Sequence, residues 1–172
     1  MQIYNKKIPE VSIHCIALPD TFGEIQFYIN LSATGFSGIR QFGENSRGFK
    51  VIKVPCDKLD NVIPQDQRID FIKCVVEGAE EMVLRGGINV IRKNKPLILF
   101  ECRPGGPETM GSTCENLFRL LSDEMGYSIY SSKNWITGKP PVNLSQFNEA
   151  GIYPFSAFEW IADCKNNIEH NY

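Results

Sequence analysis

The chain has 172 residues, with 18 basic against 20 acidic side chains and a formal net charge of −2. That length fits one domain with a real core, domains of about 100–150 residues being the commonest, so a single domain over 1–172 is expected. Its basic residues are scattered rather than gathered on a face, which argues against nucleic-acid binding. No apolar run approaches the roughly 18 residues of a membrane span, and no apolar leader opens the chain, so a soluble cytoplasmic protein is expected.

Val11 to Ala17 reads as a strand, followed by a turn around Pro19 to Gly23 and a second strand, Glu24 to Leu31, with Ile25, Phe27 and Ile29 on one face. Residues 32–48, rich in Gly, Ser and Asn, read as a loop, and Phe49 to Val54 as a third strand. From Ile69 to Val76 the run is nearly all apolar, the pattern of a strand covered on both faces. It stops at Glu77. Gly78 permits a sharp turn, and Ala79, Met82, Val83, Gly86 and Val90 then recur at helical spacing. Glu80 and Glu81 fall in the first turn of that helix, where its dipole favours negative charge. Pro96 to Phe100 is a second buried strand, ending in Glu101. Two parallel strands joined by a short helix form a right-handed crossover. Glu77 and Glu101 then share the carboxyl edge of the sheet, where open α/β sheets bind ligands.

The loop Arg103-Pro-Gly-Gly-Pro-Glu-Thr-Met-Gly111 would hang over that edge. Ser112 and Glu115 make a capping box for a helix through Met125, with Leu117, Leu120 and Leu121 inward and Gly126 closing it. Tyr127 to Ser131 is a short strand, 132–154 a long connection, Phe155 to Ala162 a last strand, and 163–172 a polar tail. No Gly-x-Gly-x-x-Gly occurs, so the Gly86-Gly87 and Gly105-Gly106 pairs read as a helix end and a loop. The six cysteines include no Cys-x-x-Cys pair, and Cys15, Cys74 and Cys102 sit in apolar runs, which predicts buried, reduced thiols. His14 and His170 are far apart, and His14 reads as structural; no metal site is predicted.

Lys73-Cys-Val-Val-Glu-Gly-Ala-Glu80, then Val83-Leu-Arg-Gly86 and Lys95-Pro-Leu-Ile-Leu-Phe-Glu101, resembles the signature of FkbM-type S-adenosylmethionine-dependent methyltransferases, a "K-I-D-V-E-G-A-E" strand and turn ahead of a "P-I-I-L-x-E" strand. Ile16-Ala-Leu-Pro-Asp20 with Gly23 is similar to the family's "A-L-S-D-x-x-G", and Val54-Pro-Cys-Asp-Lys-Leu-Asp60 to its "V-x-x-x-x-L-D". The matches keep the family's order over roughly residues 11–130. In two places the chain departs from the pattern. Val75 stands where the family has aspartate, and nothing before residue 11 matches the family's opening strand, glycine-rich turn and second strand.

The resemblance implies an α/β fold: a partial Rossmann-like methyltransferase sheet, mixed parallel and antiparallel, missing the first βαβ units. It implies S-adenosylmethionine as cofactor, bound near Asp20, Val75 and Glu77, and O-methyl transfer to a small molecule or sugar. Glu77 is then the leading candidate for the base or cofactor-orienting carboxylate, and Glu101 the second; a plain capping role for Glu77 stays open. Without the family's first strand, the signature strand would be left with an unpaired edge. Either the 11–31 hairpin or a second copy of the chain, in a homodimer, would cover it. Cofactor binding is expected to be impaired or to depend on a partner. Two other classes fit the residues, a non-catalytic interaction module and a hydrolase or metal enzyme using Glu77 and Glu101.

Overall fold

A computed structural model describes residues 11–40, 48–154 and 156–164. Strands β1 (Gly23–Asn30) and β2 (Phe49–Cys56) pair antiparallel from Gly23 opposite Cys56 to Asn30 opposite Phe49, and form a two-stranded sheet of their own. A short helix, α1 (Leu59–Val62), leads to β3 (Phe71–Cys74). Helices α2 (Glu80–Gly86) and α3 (Ile88–Asn94) cross over to β4 (Leu97–Glu101), which runs parallel to β3. Helix α4 (Cys114–Arg119) continues through a wider turn at Leu120–Glu124 into β5 (Ser128–Ser131). Then come α5 (Ser132–Ile136), α6 (Leu144–Ala150) and β6 (Glu159–Asp163). The second sheet has the order β3-β4-β6-β5, with β6 antiparallel to both neighbours. This is the mixed sheet expected from the sequence. Among the described residues no helix is long and apolar enough to cross a membrane.

The core lies between this sheet and its helices, with Leu84, Ile91, Ile98, Phe100, Leu120 and Trp160 essentially without solvent contact. Burying such side chains stabilises the fold by about 1.5–3 kcal/mol each. Two glycines and one carboxylate dock onto it the segments that flank the hairpin, Pro19 on one side and α1 on the other. A Cβ on Gly86 would lie 2.8 Å from the Pro19 carbonyl oxygen, so that position needs a bare backbone, and one on Gly87 would lie 2.6 Å from the end of the Leu59 side chain, which would have to shift. Asp60 accepts from the amides of Asn89 (3.1 Å) and Val90 (2.8 Å), the unpaired donors at the start of α3. The break at Gly87 therefore divides what the sequence reads as one helix.

Several expectations need correction. The strand expected over 11–17 is reduced to a bridge between Ala17 and Cys56, and Val11, Ile13, His14 and Cys15 are exposed. The strand expected over 69–76 shrinks to Phe71–Cys74 and is covered on one face only, Ile72 and Cys74 turning inward while Phe71 and Lys73 stay exposed. Among the described residues it is an edge strand. The hairpin does not pair with it, since β1 takes β2 as its partner. Thr113, not Ser112, caps α4 by accepting from the Asn116 amide, and the Ser112 hydroxyl donates to Glu81 instead. The connection over 132–154 holds α5 and α6, the latter with an Asn143/Gln146 capping box and Phe147 buried against Trp160, ring centroids 4.3 Å apart. The last strand begins at Glu159 rather than near Phe155, which lies outside the described residues. The expectations for residues 1–10, 41–47 and 165–172, His170 among them, also lie outside.

Candidate functional site

The chain leaves β3 through a strained turn. Glu77 adopts a left-handed conformation, φ +54°, and Gly78 follows at φ +97°. For a residue with a Cβ the left-handed region costs about 1–2 kcal/mol, which is why glycine or asparagine is usual there. Strain of this kind concentrates where a side chain must be aimed. Here it aims at the carboxyl edge. Glu77 lines a polar cleft of about 500 Å³ together with Glu80, Glu101, Arg103 and the Gly105-Gly106 backbone. It also lines a mostly apolar cavity of about 710 Å³ beneath the hairpin, with Val75, Phe27, Phe71 and Ile63. Glu77 is the residue that the two spaces share. Relieving the strain gives the first prediction. Glu77→Gly should raise stability by about 1 kcal/mol while removing the shared carboxylate. Chemical denaturation checks it, and an unchanged or lower midpoint would mean that Glu77 gains compensating contacts.

The structure thus brings Glu77 and Glu101 to one cleft, as the strand–helix–strand pattern predicts. Glu101 ends β4 opposite Glu159 of β6. Partial burial, then the neighbouring Glu77 and Glu159, raise its carboxyl above the ordinary glutamate range, with Arg103 and Lys73 opposing. Arg103 is exposed on the loop that forms the outer wall, and a 3₁₀ turn at Pro107–Met110 supports that loop from behind. Val75 faces the apolar cavity. Asp20 lines neither space; it is exposed, its Cα 3.5 Å from where a Gly86 Cβ would lie, at the far end of α2.

Glu80 is the residue whose place the sequence hides. The first-turn reading makes it a solvated charge, whereas it is 2 % exposed and its carboxylate accepts from the Val76 amide at 3.0 Å, closing the Val76–Glu80 turn from inside. Burial, and to a smaller extent Glu101, raise its carboxyl, against the lowering effect of the Val76, Glu80 and Gly78 amides. The signal was its position four residues after an amide that the turn frees. Glu81, its neighbour, is also largely covered, with its side chain 12 % exposed, paired with Arg85 at 2.7 Å and accepting from the Ser112 hydroxyl. Burial, then Glu80, push the Cys74 thiol up to about 12, leaving it a packing group rather than a nucleophile. Among the described residues no three His, Cys, Asp or Glu side chains are grouped so as to hold a metal ion.

A family model described as the methyltransferase FkbM domain matches residues 2–129, a span that runs from before the hairpin into β5 and includes the whole Glu77–Glu101 edge. No curated protein and no solved structure matches the chain.

Proposed function

The chain belongs to the FkbM methyltransferase family, and from that premise we propose that it serves methyl transfer from S-adenosylmethionine to a hydroxyl of a small molecule or sugar, with cofactor binding dependent on a partner. The observation that carries this reading is that an apolar cavity and a polar cleft share Glu77. S-adenosylmethionine supplies an electrophilic methyl on a sulfonium centre when bound. The residues present fit its two ends unequally. The apolar cavity offers Phe27, Ile63 and Val75 to a flat base, and Glu77 offers a carboxylate to a positive charge. Val75 offers no charge where the family has aspartate, and the sequence holds no Gly-x-Gly-x-x-Gly, which is why a partner is invoked.

Within the cleft, Glu77 orients and Glu101 takes the acceptor's proton. A base works best when its proton affinity approaches that of neutral solution, and the raised carboxyl of Glu101 moves it that way. Arg103 and the Gly105-Gly106 backbone, facing the same space, would hold a polar, hydroxyl-bearing acceptor. Saturation-transfer NMR with S-adenosylmethionine tests the reading. Binding by the chain alone in the millimolar range, lost in Glu77→Gln, is the expected result. Binding much tighter than millimolar by the chain alone would remove the partner, and binding undiminished in Glu77→Gln would remove the assigned carboxylate.

A further inference from the structure

Two of the six cysteines come together at the base of the loop that walls the polar cleft. The Cys102 and Cys114 sulfurs lie 2.6 Å apart, and both residues are buried. Non-bonded heavy atoms rest at about 3.5–4.0 Å and a disulfide spans about 2.04 Å, so a small sulfur movement joins them. Each cysteine is held by the frame. Cys102 follows β4, where its amide donates to the Phe158 carbonyl at 3.0 Å and its carbonyl accepts from the Trp160 indole at 3.2 Å. Cys114 opens α4, directly behind the Thr113 cap. The loop between them is bonded within itself, from the Gly105 amide to the Glu108 carboxylate at 2.7 Å and from the Ser112 amide to the Pro107 carbonyl at 3.0 Å. Twelve residues separate the pair, so no spacing motif announces it.

We propose that Cys102 and Cys114 form a disulfide that clasps the outer wall of the cleft, by exchange with a small-molecule disulfide such as oxidised glutathione. One cysteine thiolate attacks a sulfur of the small disulfide and expels a glutathione thiolate, leaving a mixed disulfide. The other cysteine thiolate then attacks the protein sulfur of that mixed disulfide and expels the second glutathione. Two protein thiols are oxidised, one glutathione disulfide is reduced to two thiols, and the two protons pass through solvent to the released thiolates. The Cys114 contact, then burial, raise the Cys102 thiol. Thiolate is the attacking species, so exchange runs through the opened loop and is slow through the closed one. The same burial shelters the finished bond from reductants. The bond closes a ring over Arg103, Gly105 and Gly106, which face the cleft. Through the Gly106 carbonyl, which lies against Gly78, it also steadies the turn that aims Glu77. Bond formation is independent of the methyl-transfer reading, and only its consequence for an acceptor in the cleft rests on that reading.

The test equilibrates the full chain with mixtures of reduced and oxidised glutathione, quenches by alkylation and maps the peptides by mass spectrometry. The expected product carries a Cys102–Cys114 bond and is lighter by two hydrogens, with Cys15, Cys56, Cys74 and Cys164 alkylated. Its half-oxidation point should lie in a glutathione pool at least about tenfold more reducing than the same pair requires in denaturant, because folding holds the sulfurs together. Amide hydrogen exchange across residues 103–113 should slow about tenfold on oxidation. Reduction with a phosphine should restore the faster exchange, a control that needs no substitution, and Cys114→Ala put through the same oxidation should show no slowing. No bond at any glutathione ratio, a bond scrambled among the other cysteines, a glutathione adduct that never resolves, or a half-oxidation point equal to that in denaturant overturns the proposal. A bonded chain whose 103–113 amides exchange as before overturns it too, since nothing is then clasped. Neither readout uses cofactor or acceptor, so failure of the clasp and failure of the methyl-transfer reading are told apart.

Discussion

Gly78→Ala is expected to destabilise the chain by about 2–5 kcal/mol, the sum of a left-handed backbone penalty of about 1–2 and an overpacking cost of about 1–3. An added Cβ would lie 2.4 Å from the Gly106 carbonyl oxygen and 2.6 Å from its carbon, contacts with backbone rather than with a side chain that could swing away. Gly106 has little room to retreat. Its amide donates to Arg103 at 3.2 Å, and its carbonyl accepts from both the amide (3.1 Å) and the hydroxyl (2.7 Å) of Thr109. The outer wall of the cleft therefore rests on the turn that aims Glu77, and moving one moves the other. Gly105→Ala is the control, since Gly105 shares a positive φ of +93° but has nothing within 4 Å of an added Cβ. It should cost only the backbone term. Equal denaturation midpoints for the two variants would show that the loop does not bear on the turn.

The turn was legible because its residues are punctuation: an acid and a glycine after an apolar run have few other uses, and the crossover rule then places Glu101 on the same edge. What surrounds that edge was less legible, for reasons that differ by segment. An apolar run such as Ile69 to Val76 looks the same whether one face or both are covered; burial on the second face depends on a neighbouring layer that local sequence does not encode. The 11–17 segment has strand residues, but among the described residues its one ladder contact is the Ala17–Cys56 bridge, and propensity alone does not supply a partner. In α6 a seven-residue helix shows barely two turns of periodicity, and Phe147 is recognisable as core only once Phe100, Phe118 and Trp160 are around it. Ser112 and Thr113 are equally good caps by type, and Glu81 decides between them by taking the Ser112 hydroxyl. Asp60 could be matched to a pattern, but its reason, the open amides of α3, belongs to the tertiary structure. Glu80 failed for a similar cause. A first-turn glutamate is ordinarily solvated, and only the inward roll of α2 buries this one.

That burial makes Glu80 the place where charge and structure compete most sharply, and two substitutions separate them. Glu80→Ala removes the acceptor for the Val76 amide and leaves a void, and should cost about 2–4 kcal/mol. Glu80→Gln keeps an acceptor of the same shape without a charge, so its effect depends on pH. Because the carboxyl is raised in the folded chain, the native state holds its proton at pH values where the unfolded chain has released it. The contribution from this group is fully present below the unfolded value and is lost as pH rises through the folded one. Glu80→Gln should escape that loss, so its stability relative to wild type should improve from acid towards neutral pH. Glu101 shifts in the same direction and leaves some of the pH dependence in the single variant; Glu80→Gln with Glu101→Gln should flatten it further. Denaturation midpoints measured across that range decide the matter. A Gln variant that instead loses ground as pH rises would mean that the amides of Val76, Gly78 and Glu80 outweigh burial, and that the turn is held by the ionised carboxylate. In that case the cleft beneath Glu77 would carry a full negative charge at neutral pH, and Glu101 would feel it directly.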